Sequence, residues 1–256
     1  MRLLAFASAC APILGAFTGT ARAAEPCRDV AFEGSIQIPI GGAIQRIVRL
    51  DASCNATFVD RLVSAAEVDF ILRSGHASSD KSDQVRPRLS GVSSGKAGLA
   101  KPVTMVAGGP IHMFNRIKDA AGLNVTSIDP HNFSYGYNGS TITSTTHDAT
   151  VNRSTESGTC GPGWSINWGA TAISISGGGV GYTFADSLTH AEFSYQGAFD
   201  CAGATYYNIL DTKLTGFGNG SSSTCAYRTQ LRNTYFGWYQ ELLCWDAYVW
   251  TTPPAF

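Results

Sequence analysis

Glu241 and Asp246 stand among Trp238, Tyr239, Trp245 and Tyr248, close to the end of the chain. Two carboxyl groups about 5–10 Å apart are what glycoside hydrolysis needs, one of them kept protonated by its surroundings. An aromatic wall raises a carboxyl pKa by stripping water from the charged form. Glu241 and Asp246 are therefore the candidate catalytic pair, and two solvated strand residues are the plainer alternative. The rings themselves suit a different chemistry. Flat side chains with a polar edge stack on sugar faces or anchor a protein partner. Along Trp238 to Trp245, period-two alternation sends Trp238, Gln240, Leu242 and Cys244 to one face, and Tyr239, Glu241, Leu243 and Trp245 to the other. We expect Trp238 to face the core, and Tyr239, Trp245 and Tyr248 to line a binding surface.

Other patterns carry less. Gly91-Val92-Ser93-Ser94-Gly95 matches the nucleophile-elbow spacing, but that motif needs a buried strand before the serine and a helix after it. Arg86-Pro87-Arg88 and Gly95-Lys96-Ala97-Gly98 provide neither, so Ser93 is read as a loop residue with no catalytic role. His76, His112, His131, His147 and His190 are scattered, with no H-x-H or H-E-x-x-H pair. No C-x-x-C occurs, and no metal site or cofactor is expected.

The cysteines speak of compartment. Arg2, the apolar run 3–17 and the small residues Ala21 and Ala23 form a secretory signal peptide over residues 1–23. The run falls short of the ~20 residues that span a bilayer, and no later stretch is long enough. Of seven cysteines, Cys10 leaves with that leader and six remain. An even set in an oxidising compartment implies three disulfides. Neighbour pairing, one of 15 possible arrangements, gives Cys27–Cys54, Cys160–Cys201 and Cys225–Cys244. The expected location is extracellular or periplasmic.

The elements that position these residues read as strands. Ser35 to Ile40 alternates, Gly41-Gly42 signals a turn, and Ile44 to Leu50 resumes, so residues 25–56 suggest a hairpin with Pro39 on an edge. Residues 57–73 fit helix or strand, and two strands are favoured. Residues 75–102 read as an exposed loop, and 110–121 as the best helix. Further strands are expected near 140–145, 165–175, 181–184, 191–195, 205–214, 225–232 and 235–249. All ten tyrosines and all five tryptophans lie at or after Tyr135. Net charge also shifts there, from +1 over residues 24–130 to −4 over 131–256.

Together these imply an all-β protein, a disulfide-stapled antiparallel sandwich or barrel with at most one or two short helices. Residues 24–130 form a β segment that packs with an aromatic-rich segment, 131–256, as one domain; two small β domains are the alternative. After loss of the leader the chain carries 16 basic and 19 acidic side chains. No basic face for nucleic acid is evident. The expected molecule is a secreted monomer that binds glycan or a cell-surface protein without catalysis. The alternative is a secreted glycan-acting hydrolase. Six N-x-S/T sequons begin at Asn55, Asn124, Asn132, Asn138, Asn152 and Asn219; in a eukaryotic protein these are surface loops bearing glycans, and in a bacterial one they are Ser/Thr-rich loops and nothing more.

Overall fold

The computed structural model describes residues 27–39, 41–76, 106–107, 110–119, 122–153, 164–173, 177–196, 205–220, 222–234 and 237–246. The leader, the loop that holds Ser93, the pair Cys160 and Cys201, and Tyr248 lie outside these residues. In chain order the elements are β1 (Val30–Pro39), β2 (Ala43–Leu50), β3 (Ala56–Leu62), α1 (Ala65–His76), β4 (Val106–Ala107), β5 (Ile111–Lys118) and β6 (Asn124–Tyr137). They continue with β7 (Ile142–Arg153), β8 (Trp164–Ile173), β9 (Phe184–Gln196), β10 (Thr205–Phe217), β11 (Ser222–Arg232) and β12 (Tyr239–Asp246).

These strands form two antiparallel sheets. One has five strands in the order β1-β11-β10-β9-β8. The other has seven: β3-β2-β12-β5-β6-β4 in line, with β7 also paired to β6. Two clusters fill the space between the sheets. Ile117, Ile128, Val151, Trp164, Phe193, Leu210 and Trp238 share the first. Ile38, Met113, Phe133, Leu214 and Leu242 belong to the second. Alternation explains why these side chains face inward on strands that show polar residues outside. The all-β, disulfide-stapled sandwich expected from the sequence is the fold observed.

Gly41-Gly42 does not close a hairpin. The Pro39 carbonyl accepts from the Gly42 amide at 2.9 Å, and Gly41 takes φ 71°, which glycine tolerates without strain. The turn carries the chain from the five-stranded sheet to the seven-stranded one, since β1 pairs with β11 whereas β2 pairs with β3 and β12. Both described disulfides bridge that same divide. Cys27–Cys54 ties the start of β1 to the β2–β3 turn, and Cys225–Cys244 joins β11 to β12. Both pairings are those expected from sequence neighbours.

Two element assignments are reversed. Residues 111–118 are strand β5, not a helix. β5 is central and buried on both faces, so Ile111, Phe114 and Ile117 are all apolar and imitate a three-residue period. Conversely, the second half of residues 57–73 is helix α1. Ser64 caps it: its Oγ accepts from the Glu67 amide at 3.3 Å, while Glu67 Oε2 accepts from the Ser64 amide at 2.8 Å. This reciprocal pair is a capping box. Val68, Ile71 and Leu72, at i, i+3 and i+4, then bury against Ala43, Phe114, Leu243 and Trp245. α1 thus covers the outer face of the seven-stranded sheet.

Candidate functional site

The covering by α1 removes the expected binding surface. Trp245 is 2 % exposed, stacked on His112 with ring centroids 5.0 Å apart and edge-on to Phe114. It is a core ring, not a platform. Alternation did separate it from Trp238, which is 6 % exposed and packs between the sheets, but the opposite face has its own core. Tyr239 is half-buried, with the Arg49 guanidinium 4.7 Å above its ring.

Nor do Glu241 and Asp246 form a pair. They stand five positions apart on one strand and so point to opposite faces of the sheet. Glu241 is buried under α1, where Gln45 Nε2 donates to its Oε1 at 2.6 Å and Lys118 Nζ lies 2.7 Å from its Oε2. Arg116 beside it is fully buried, its Nε 2.6 Å from Asp129 Oδ2 and its guanidinium 3.8 Å from the centre of the Phe114 ring. This buried ion network ties four strands of the sheet together and reaches α1 where Arg116 Nη1 donates to the Ile71 carbonyl at 3.3 Å. Asp246 is buried as well, near enough to Tyr135 to help raise that phenol's pKa, after burial itself.

The inter-sheet space also holds polar groups. His131 is fully buried; its Nδ1 lies 2.9 Å from Thr212 Oγ1 and its Nε2 2.8 Å from Ser187 Oγ. His147 Nδ1 reaches the same Ser187 oxygen at 2.9 Å. A serine between two histidines has the components of a nucleophile and base. Here the serine is wholly buried, so the arrangement satisfies polar groups within the core. Burial, reinforced by His147 and His112, pushes the His131 pKa down to about 3.

An accessible constellation lies on the outer face of the five-stranded sheet. Trp168 is 59 % exposed. It stands opposite Glu192, one strand over, and meets His190 edge-on at 5.6 Å. His190 bridges two carboxylates: Nδ1 to Asp211 Oδ1 at 2.6 Å and Nε2 to Glu192 Oε1 at 3.0 Å. Tyr207 donates its hydroxyl to the other Glu192 oxygen. Burial lowers the His190 pKa, but the two carboxylates outweigh it and leave the imidazole raised. Glu192 is held below the usual carboxylate range, first by Tyr207 and then by His190. Across the same face, Asp211 pairs in register with Arg228, and Arg228 with Glu33. Beside Tyr207 a shallow groove of about 130 Å³ runs over Ile209, Gln230, Arg232, Asp29 and Ala31.

Sequence reasoning missed Trp168 because of one extra residue. Trp164 and Ile166 pair with Tyr195 and Phe193 on the inner face. A register shift between Ile166 and Trp168 then inserts Asn167 as a bulge. Strict alternation would keep Trp168 inside; the bulge turns it out. Nothing in Ser165-Ile166-Asn167-Trp168 marks that bulge beforehand.

Among the described residues no group of three or more His, Cys, Asp or Glu side chains is arranged to hold a metal ion, and no helix is long and apolar enough to cross a membrane. Compared with known proteins, the chain matches no family model, no curated protein and no solved structure. Its functional reading therefore rests on its own geometry.

Proposed function

We propose that this chain is a secreted, non-catalytic binding protein that holds a glycan on the outer face of its five-stranded sheet. The observation that carries the reading is the exposed indole of Trp168 beside His190, Glu192, Asp211 and Tyr207. An apolar ring face next to a cluster of fixed donors and acceptors matches the two sides of a sugar, its C–H face and its hydroxyl rim. The signal-like leader and the two inter-sheet disulfides support a place outside the cell. The state of Glu192 speaks against glycoside hydrolysis at this face. A general acid must hold its proton at working pH, whereas Tyr207 and His190 push Glu192 the other way.

A glycan array probed with the disulfide-bonded protein and with Trp168→Ala tests the proposal. The wild type should retain a defined set of glycans and the variant should lose them. Equal retention by both would remove Trp168 from any binding role.

A further inference from the structure

Among the described residues β3 is the outermost strand of the seven-stranded sheet, and all seven of its residues are exposed. Natural edge strands are blunted by proline, a bulge, or unpaired charge. β3, with the sequence Ala-Thr-Phe-Val-Asp-Arg-Leu, has no proline and pairs with β2 without a register shift. Its two charges are already neutralised within the chain, Asp60 by Arg46 at 2.6 Å and Arg61 by Glu67 at 2.8 Å. What remains on show is apolar: Phe58 at 62 %, Val59 at 71 % and Leu62 at 76 % exposure. Phe58 points to the inner side, under the Arg46 guanidinium that also reaches Ser35 O and Tyr227 of the facing sheet. Leu62 shares that side by alternation.

The free edge can be assigned atom by atom. At the ends of the β2–β3 hairpin, Asp51 N bonds Asn55 O and Val63 N bonds Ala43 O, each at 3.0 Å. With the register Ile47↔Val59, odd-numbered residues of β3 bond inward to β2. Ala56, Phe58, Asp60 and Leu62 therefore present their amides and carbonyls to the outside.

We infer that β3 pairs antiparallel with β3 of a second copy of this chain, about a two-fold axis through Val59. Paired residues must share a face, so the axis passes through a residue and not between two. An axis at Asp60 or Arg61 sets like charges face to face, which is destabilising. An axis at Phe58 or Thr57 leaves part of the strand unpaired. Only the Val59 axis matches all seven residues with no like-charge pair. It sets Phe58 opposite the partner's Asp60, Ala56 opposite the partner's Leu62, and Thr57 opposite the partner's Arg61. These partners are the residues whose backbone groups face outward, so Phe58↔Asp60 and Ala56↔Leu62 exchange hydrogen bonds. Phe58 of each copy meets its symmetry mate on the diagonal, within reach of aromatic rings. Val59 meets Val59 as the close, non-hydrogen-bonded pair. The chain's own strand is thus self-complementary in charge, length and hydrogen bonding, where the sequence suggested a monomer.

Sedimentation velocity on the disulfide-bonded protein, from about 1 to 500 μM, tests the inference alongside Val59→Lys, Val59→Cys and Thr57→Cys. The wild type should be dimeric at the upper concentrations. Val59→Lys should raise the dissociation constant at least ~100-fold, and because its side chain is exposed its melting temperature should equal that of the wild type at concentrations where both are monomeric. Oxidised Val59→Cys should form a covalent dimer, since a non-hydrogen-bonded pair sets Cα atoms about 4.5 Å apart, within disulfide range. Thr57→Cys should not, its copies lying roughly 14 Å apart along the strand. A wild type monomeric throughout, a Val59→Lys dimer of unchanged affinity, or equal cross-linking of both cysteine variants would each overturn the inference. Trp168→Ala should dimerise normally, which separates this edge from the glycan face.

Discussion

His131 and His190 respond to pH with opposite sign. Folding holds His131 neutral at a pKa of about 3, while the unfolded chain takes up a proton near the ordinary imidazole value of about 6.5. The unfolded state binds more protons between these values, so the contribution of His131 to stability is full above pH 6.5 and falls away as pH drops toward 3. The loss is on the order of a few kcal/mol. Urea unfolding from pH 7.5 to 4 should show that decline, and His131→Gln should flatten it while lowering stability at neutral pH. His190 is raised instead. Its contribution is complete below pH 6.5 and fades as pH rises through its folded value, an effect that Asp211→Asn should reduce. NMR titration of the imidazole in wild type and Asp211→Asn reads this directly; a variant pKa at or above that of the wild type would contradict the bridge. Neither role was legible beforehand, because each depends on partners from other strands: Thr212 and Ser187 for His131, Asp211 for His190. No local motif records such neighbours.

α1 decides which face of the seven-stranded sheet is core. The period-two separation of Trp238 from Trp245 was legible and correct, because side-chain direction along a strand is a local property. What covers each face is not local. Once 65–76 is a helix, Trp245 becomes core, and Trp245→Ala should destabilise by roughly 3–5 kcal/mol while leaving glycan binding intact. Thermal unfolding together with a binding titration checks both halves of that statement. A variant with unchanged melting temperature would place the ring outside the core. The capping box was present in the sequence as Ser64-Ala65-Ala66-Glu67, and it was the signal that could have decided the element. Ser64→Ala should cost about 1 kcal/mol, measured by chemical denaturation. β5 shows the reverse error: a strand buried on both faces loses its alternation, so its apolar spacing no longer separates it from a helix.

At the scale of the whole molecule, the fold class could be read directly from the chain, because short alternating runs point to strands. The even cysteine count implied disulfides but left 15 pairings open; the two described bridges agree with neighbour pairing, which the count alone does not dictate. The division of strands between sheets could not be read, since Gly41-Gly42 looks the same whether it closes a hairpin or crosses a sandwich. Cys225–Cys244 binds the two sheets at β11 and β12, so its removal as Cys225→Ala/Cys244→Ala should cost about 2–5 kcal/mol, seen as a lower denaturant midpoint. The bulge at Asn167 is the least legible feature and the most consequential, because it alone puts Trp168 on the outside. This ring and its polar neighbours form the proposed binding face. Isothermal titration of an array-selected glycan into wild type, Trp168→Ala and Trp245→Ala tests it most directly. Binding should fall at least tenfold in Trp168→Ala at an unchanged melting temperature, and persist in the folded fraction of Trp245→Ala. Full affinity in Trp168→Ala, or its loss only in Trp245→Ala, would contradict the assignment.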